Sequence, residues 1–470
     1  MSIAPVFLSL IQPSDDETQL LNVMASRLQV FAAANREAED YYEGSHLTRQ
    51  LGISIPPSMQ NLRTVAGWCG TVVDVLEERL DWLGYTSDGP DLGLDEIYSQ
   101  NMLDVDAGLA HLDSLIFGTS FVAVGTGLDG EPRALITPHS PTSMTALWDR
   151  RIRRLSSAYS QVVEDGQVVE ATLYLPDQTV TVEHANGVGG WKVVERDRHN
   201  LGRVPIVMMP NRTRGSREYG RSEITKAVRY YADAAMRTLL GLEVNREFYN
   251  APQRVGLNIA EDAFTDASGA PVSQWTSIQG RVWMIPPNED GQPSPDVKQF
   301  SASSPAPYLD TIRGYAQLVG AEAGIPGAYL GFSTDNPASA DAIRAGESRL
   351  VKRAERRQAI FGRAWLEVGR LALLVRDGSV PAEYDSVSVR WRDAATPTRA
   401  AAADEATKLI GAGVLPADSS VTYDRVGLSP AEQRQVASDK RRSGGSAALR
   451  AVAQAAADGK PVVTLDAPAQ

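Results

Sequence analysis

The chain has 470 residues, 43% of them apolar, which is enough for several sub-domains around a sizeable core. Its 46 basic and 58 acidic residues leave a formal charge of −12, which excludes a protein that grips nucleic acid over its whole surface but not one that lets DNA pass without adhesion. No apolar run is long enough to cross a membrane, and the single cysteine, Cys69, excludes an internal disulfide and points to a reducing compartment.

Residues 1–16 read as a loose leader; the stretch MSIAPVFLSLIQPSDDE lacks the basic start and cleavage site of a secretory signal. Residues 17–43 follow as a helix with Leu21, Met24, Leu28 and Phe31 on one face. A second helix is expected over 60–83, carrying Val65, Trp68, Val72, Leu76 and Leu80, with Cys69 packed inside it. A third covers 92–117. From Ser120 to His199 the period changes to short β-rich runs (SFVAVGTG, PRALITP, SAYSQVV, EATLYLP, QTVTVEH, GWKVVER), an antiparallel meander with a hairpin turn at Glu164-Asp165-Gly166. The strand VPIVMMP leads through the arginine-rich loop NRTRGSREYGR to Ser222, which is placed to cap a helix from Glu223 to about Asn250. Residues 252–305 return to short strands, QRVGLNI and RVWMIPP the clearest, and a helix after Pro307 ends near Gly324. The β segment between these two helices is expected at the tip of a helical hairpin.

A proline- and glycine-broken loop, GIPGAYLGFSTDN, then opens one very long helix. Asn336 is placed to cap it, Pro337 fits its first turn, and Gly378 suits a left-handed end with Arg376 in the last turn. Unbroken from 337 to 377, it would run roughly 60 Å, a length rare in an ordinary enzyme domain. Ile343, Leu350, Ala354, Phe361, Trp365, Val368, Ala372 and Val375 form an apolar stripe. Arg349, Lys352, Arg356, Arg363 and Arg370 form a second, basic stripe. It reads either as a solvated face balanced by Glu347, Glu355 and Glu367, or as a face for an acidic neighbouring subunit or a phosphate backbone. Gly346, Gly362 and Gly369 each cost about 1 kcal/mol against alanine and mark close packing or a bend. Beyond the helix, SVSVRWRD is a short strand, 397–442 holds small helices, and the alanine-rich tail 443–470 is expected to be mobile, though ALRAVAQAAA suits a helix. The fold class is α+β, predominantly helical.

Motifs for catalysis are weak. Gly125 to Gly130 spells G-x-G-x-x-G, but a strand follows it rather than a helix, so a hairpin turn is expected. Gly215 to Ser222 nearly spells a phosphate loop, with Arg221 in place of the lysine and no strand ending in a magnesium-binding aspartate. The alternative reading gives Arg212, Arg214, Arg217 and Arg221 contacts between segments or subunits. The histidines, His46, His111, His139, His184 and His199, are scattered. No metal, cofactor or catalytic residue is expected.

Five segments in series resemble the portal proteins of tailed bacteriophages, in the branch found in long-tailed siphophages: YYEG, LIFGTSFVAVG, VPIVMMPNRTRG…GRSEI, APQRVGL and GIPGAYLG…DNPASADAIRAGESRLVKRAERRQAIFG. The resemblance covers most of residues 20–440. It implies a non-enzymatic ring, usually of twelve copies, at one capsid vertex of the virion, assembled in the host cytoplasm. Double-stranded DNA would pass through it, unread, during packaging and ejection. Terminase, a head-completion or adaptor protein, and the capsid and scaffolding proteins would be its partners, with no membrane involved. By position, 17–221 resembles the wing, 222–251 and 306–324 the stem helices, 252–305 the clip, 337–396 the long wing helix and strand, and 397–442 the crown. The loop 325–336 resembles the channel-lining tunnel loop, so Gly327, Ala328, Tyr329, Leu330, Gly331, Phe332, Ser333, Thr334, Asp335 and Asn336 are the residues expected to face DNA. A nucleotide hydrolase using 215–222, and a minor capsid or adaptor protein without a channel, are the alternatives.

Overall fold

Three acidic residues and a serine start the first helix. In α1 (Asp15–Tyr42) the Glu17 amide donates to Ser14 Oγ at 3.3 Å and the Ser14 amide donates to Glu17 Oε2 at 2.9 Å, a reciprocal cap beside Asp15 and Asp16. The computed structural model describes residues 12–46, 62–87, 89–184, 190–250, 254–258, 294, 296–299, 304–331, 339–395, 399–429 and 432–443. The chain divides into two compact units, Met1–Arg390 and Trp391–Gln470.

Leu21, Met24 and Leu28 of α1 bury themselves against Tyr159, Leu173, Val180 and Val182. Phe31 departs from expectation: it is 44% exposed. It lines a crevice between α1 and the 216–222 loop that no side chain fills, with the Arg27 guanidinium 5.3 Å from its ring.

The helix expected over 60–83 is shorter, α2 (Trp68–Glu77), and gives way to strand β1 (Trp82–Thr86). Val65 is 57% exposed and lies ahead of the helix, so it is not part of the helix's buried face. Trp82 leaves the helical pattern because it stacks on Trp365 at 4.2 Å, with Tyr85 and Tyr98 edge-on. The helix expected over 92–117 is two, α3 (Leu94–Gln100) and α4 (Leu103–Phe117). Asn101 breaks it. Its buried amide donates to the carbonyls of Ile97 (2.9 Å) and Ala134 (3.0 Å) and accepts from the Ile136 amide (2.8 Å), which turns Met102 to φ 49°.

The meander resolves into two antiparallel sheets. One takes the order β3-β2-β9, from β2 (Thr119–Thr126), β3 (Ala134–His139) and β9 (Ile206–Pro210). The other is β4 (Met144–Asp149), β5 (Arg154–Glu164), β6 (Gln167–Tyr174), β7 (Thr179–His184) and β8 (Trp191–Asp197) in sequence order. Strand β4 is not among the β-rich runs that the sequence marks. The Glu164–Gln167 turn is as expected: Asp165 (φ 48°) and Gly166 (φ 77°) give the left-handed pair that a two-residue hairpin requires.

Helix α5 (Lys226–Asn250) starts a turn later than expected, with Thr225 Oγ1 accepting from the Val228 amide at 3.3 Å. Strands β10 (Arg254–Leu257) and β11 (Asp296–Gln299) pair antiparallel beyond it; RVWMIPP, at 281–287, lies outside the described residues. Helix α6 (Ala306–Ala323) ends on left-handed Gly324. It returns along α5: a Cβ on Gly241 would sit 3.2 Å from the Tyr308 ring, and Thr225 Oγ1 donates to Glu322 at 3.1 Å at the other end. That is the expected helical hairpin.

The long helix is α7 (Ala340–Asp377), 38 residues and about 57 Å. Ser339 caps it, accepting from the Ala342 amide at 3.2 Å, so it begins three residues beyond Pro337; Asn336, the expected cap, lies outside the described residues. It ends on Gly378 at φ 71°, as read. Leu350, Ala354, Phe361, Trp365, Val368 and Ala372 are fully buried, whereas Ile343 is 52% exposed. Trp365 Nε1 donates to buried His111 at 2.9 Å, and His111 stacks on Phe361 at 5.2 Å. Gly369 marks close packing: a Cβ there would sit 2.6 Å from Tyr384 Oη and 2.9 Å from the Tyr85 ring. Strand β12 (Ser388–Trp391) then pairs with β1. The second unit contains helices Arg399–Gly411, Ser420–Val426 and 432–443, in keeping with the small helices expected there; residues 444–470 lie outside the described residues.

Candidate functional site

After Gly324 the chain cannot continue α6, and Pro326 sends it into a short 3-10 turn, Gly327–Leu330, closed by Gly331 at φ 84°. Gly327 and Ala328 are exposed, while Leu330 is buried beside Gly320. Tyr329 is held between two other elements. Its hydroxyl donates to Glu347 Oε1 at 2.7 Å and accepts from Arg79 Nη2 at 3.0 Å. Arg79 also pairs with Glu347 at 3.2 Å, with only 5% of its side chain exposed. Burial, and then the bond to Glu347, push the Tyr329 phenol above its ordinary range, so it stays a neutral donor. This clasp joins the end of α2, the start of the loop and the first turns of α7. Phe332, Ser333, Thr334, Asp335 and Asn336 lie outside the described residues.

The basic stripe is not one surface with one role. Arg349 Nη1 donates to the Ala321 carbonyl at 2.6 Å, where the C-terminus of α6 leaves acceptors open. Lys352 pairs with Glu355 at 2.6 Å. Arg370 pairs with Asp385 at 3.1 Å and lies over the Tyr384 ring at 4.9 Å. Arg356 and Arg363 point to solvent.

Sequence reasoning passed over a buried ion-pair network. Glu223, wholly buried, pairs with Arg353 and Arg357 of α7 and, at 3.3 Å, with Arg212. Asn211 donates to Glu223 Oε1 at 3.1 Å and accepts from Arg357 Nε at 3.2 Å. Burial alone would raise the Glu223 pKa; the guanidiniums of Arg357, Arg353 and Arg212 outweigh it and hold the carboxyl below its usual range. The network ties the end of β9, the entry to α5 and the middle of α7 into one joint. A signal for it existed. Arg357 falls on the apolar stripe between Ala354 and Phe361, and a cation there needs a buried carboxylate.

The phosphate-loop look-alike takes another shape. A Cβ on Gly220 would lie 2.1 Å from the Asn211 carbonyl and 2.3 Å from that of Gly118, so the glycine permits a crossing of backbones. The Arg221 amide is spent on the Asn211 carbonyl at 2.8 Å, and α5 begins only at Lys226. The amides that follow are spent as well, Glu223 on the Leu115 carbonyl at 2.9 Å, Ile224 on Ser222 Oγ at 3.0 Å and Thr225 on the Glu223 carbonyl at 2.9 Å, so they do not form the cradle a nucleotide phosphate would require. The loop instead walls the crevice against α1, a cavity of about 420 Å³ lined by Arg27, Phe31, Asn35, Tyr219, Arg221 and Arg229 among others.

A family profile described as phage portal protein, SPP1 Gp6-like, matches residues 27–422. The portal protein of Mycobacterium phage D29 is 36% identical over 415 residues, spanning 85% of this chain and 84% of that protein. The portal protein of Mycobacterium phage L5 is 35% identical over 386 residues, spanning 79% and 78%. Among solved structures, a chain from the neck of an empty gene transfer agent particle aligns with a TM-score of 0.44 at 15% identity, over 80% of this chain and 95% of that one. A chain from the neck of the native particle, computed with C12 symmetry, aligns with a TM-score of 0.39 at 16% identity, over 83% and 98%.

Proposed function

This chain belongs to the SPP1 Gp6-like family of phage portal proteins, structural components of the virion, and from that premise we propose that about twelve copies close into a ring around a DNA channel at one capsid vertex. Double-stranded DNA passes through that channel on packaging and again on ejection. The ring does no chemistry; a terminase motor docks on it during packaging, and a head-completion or adaptor protein later. Capsid and scaffolding proteins surround it.

One observation carries the reading: a rod of about 57 Å, locked at its middle by the Glu223 joint, ends at a loop whose start is clasped by Arg79, Tyr329 and Glu347. A rigid arm with a tip set by a clasp suits a part that must stay aimed at a moving polymer. On this assignment Gly327 to Asn336 line the channel, α5 and α6 form the stem, 252–305 the clip, and 397–442 the crown. A net charge of −12 suits the same task, because phosphate contacts would release counterions and make DNA stick. The hydrolase alternative loses its ground at Arg221, whose amide is already spent. Negative-stain electron microscopy of the purified chain tests the proposal. Ring particles with an axial tunnel are expected; a strictly monomeric protein at micromolar concentration would refute it.

A further inference from the structure

Helix α4 is apolar on two sides. One side, with Leu103, Ala107 and Leu115, is buried. The other carries Val105 and Leu109, one turn apart and 66% and 55% exposed, and Met102, 63% exposed, stands at the turn just before the helix. Large apolar side chains scattered singly on a surface are ordinary, but a pair one turn apart beside a third at the cap forms an unfinished apolar patch. The rim of this face is acidic. Asp104 is exposed and Asp106 half-buried, and neither has an ion-pair partner among the described residues. Glu77 lies alongside, its Oε1 3.4 Å from where a Cβ on Gly108 would sit. Burial, then Asp81, Asp74 and Glu78, push the Glu77 carboxyl up to about 7, and an arriving cation would draw it back to its charged form.

The matching surface lies on another part of the same unit. The turn from β4 to β5 reads Arg150-Arg151-Ile152-Arg153-Arg154. Asp149 Oδ1 fixes it, accepting from the Arg151 amide at 2.7 Å and the Ile152 amide at 3.3 Å. Arg153 is held at φ 52°, a costly conformation for a side chain of its size. Ile152, at the tip, is 49% exposed. Arg150 pairs with Glu218 at 2.6 Å, but Arg151, Arg153 and Arg154 are exposed with no ion-pair partner among the described residues. The tip is therefore an apolar knob ringed by cations, and α4 offers an apolar row rimmed by carboxylates. Two different surfaces on one chain that fit each other make a head-to-tail contact, the type that builds a ring when its rotation divides a full turn.

We infer that the β4–β5 turn of one copy docks on the outer face of α4 in the next copy, with Ile152 against Val105 and Leu109 and the arginines opposite Asp104, Asp106 and Glu77. The inference rests on the ring reading above. It names a second copy rather than DNA because an exposed isoleucine at the tip gains nothing from a phosphate backbone, whereas the α4 row gives it a partner.

Charge reversal in the full chain tests it, with ring fraction read by native mass spectrometry and electron microscopy. Arg151→Glu with Arg153→Glu should lower the ring fraction more than tenfold, and Asp104→Lys with Asp106→Lys should do the same. All four changes together should restore it, since the pairing is re-made with its signs exchanged. Thermal unfolding of each variant within a few degrees of the parent shows that the fold is kept. Folded variants that still form rings, or a folded fourfold variant that fails to, would overturn the inference. So would intact rings of the Arg151/Arg153 variant that have lost retention of double-stranded DNA, because the tip would then serve DNA. A parent chain that never forms rings would instead refute the ring itself. As a charge-independent check, Ile152→Ser should weaken assembly, and unchanged assembly would count against the contact.

Discussion

Replacing Glu223 with alanine removes the carboxylate on which Arg212, Arg353 and Arg357 converge. Arg357 and Arg353 are only 7% and 14% exposed, so neither can turn freely to water when its partner goes. Breaking a buried pair by deleting one partner costs about 3–5 kcal/mol. Arg212, 32% exposed, can be resolvated and adds little, while the Asn211 amide loses a bond of about 1 kcal/mol. The expected loss is therefore about 3–5 kcal/mol. Unfolding entropy of about 2.1 cal/mol/K per residue converts this, for a unit of this size, to a Tm lower by roughly 4–6 °C. Calorimetry and urea titration at one fixed protein concentration read it, so that assembly does not enter the comparison. A second variant separates desolvation from packing. With Arg353→Leu and Arg357→Met added to Glu223→Ala, most of the stability should return, because the stranded cations are gone. There is a pH signature as well. The Glu223 carboxyl is held below its unfolded value, so its contribution is complete above about pH 4.5 and is lost as pH falls through the folded pKa; Glu223→Gln should flatten that acid limb. A Glu223→Ala protein within about 1 kcal/mol of the parent would refute the joint as a source of rigidity.

The other predictions concern separate parts of the molecule. Glu17 is held at about 2 by its hydrogen bond to Arg196, so the pair stabilises fully above about pH 4.5 and should lose about 2–3 kcal/mol as pH falls toward 2; a Glu17→Gln protein with the same acid limb would contradict this. Gly369→Ala should destabilise by about 1–3 kcal/mol in thermal melts, because the new methyl meets the Tyr384 hydroxyl and the Tyr85 ring despite alanine's better helix propensity. Gly346→Ala, on the same helix with nothing within 4 Å, should stabilise by up to about 1 kcal/mol, and equal signs for the two would argue against the packing described. Tyr329→Phe keeps the Arg79–Glu347 pair but opens the clasp, and faster amide exchange over 327–331 at little change in Tm is expected; unchanged exchange would show that the hydroxyl holds nothing.

What could be read from the sequence was what local rules decide. The long helix, its end at Gly378, the Asp165-Gly166 turn and the α5–α6 hairpin each follow from short-range signals: a stripe, a left-handed glycine, a pair of helices around a β segment. What stayed hidden is made by residues distant in sequence. Asn101 breaks a helix because the backbone of β3 binds its amide, and nothing near Asn101 announces that. Trp82 starts a strand because Trp365 gives it a surface to stack on. The clasp brings Arg79 to a tyrosine 250 positions later. The basic stripe, legible either as a solvated face or as a docking face, is divided in what its members do within the chain. Its members share a helix face, but Arg349 caps a neighbouring helix and Lys352 pairs locally, whereas the arginines that organise the core, Arg353 and Arg357, sit just off that row.

The portal reading stands on many copies meeting around a conduit with the loop before α7 turned inward. Electron cryomicroscopy of the assembled protein tests that directly. A closed ring with residues 327–336 facing an axial opening wide enough to admit a DNA duplex is the expected outcome. A ring whose 327–336 segments lie on the outer wall, or a purified chain that never assembles, would contradict it.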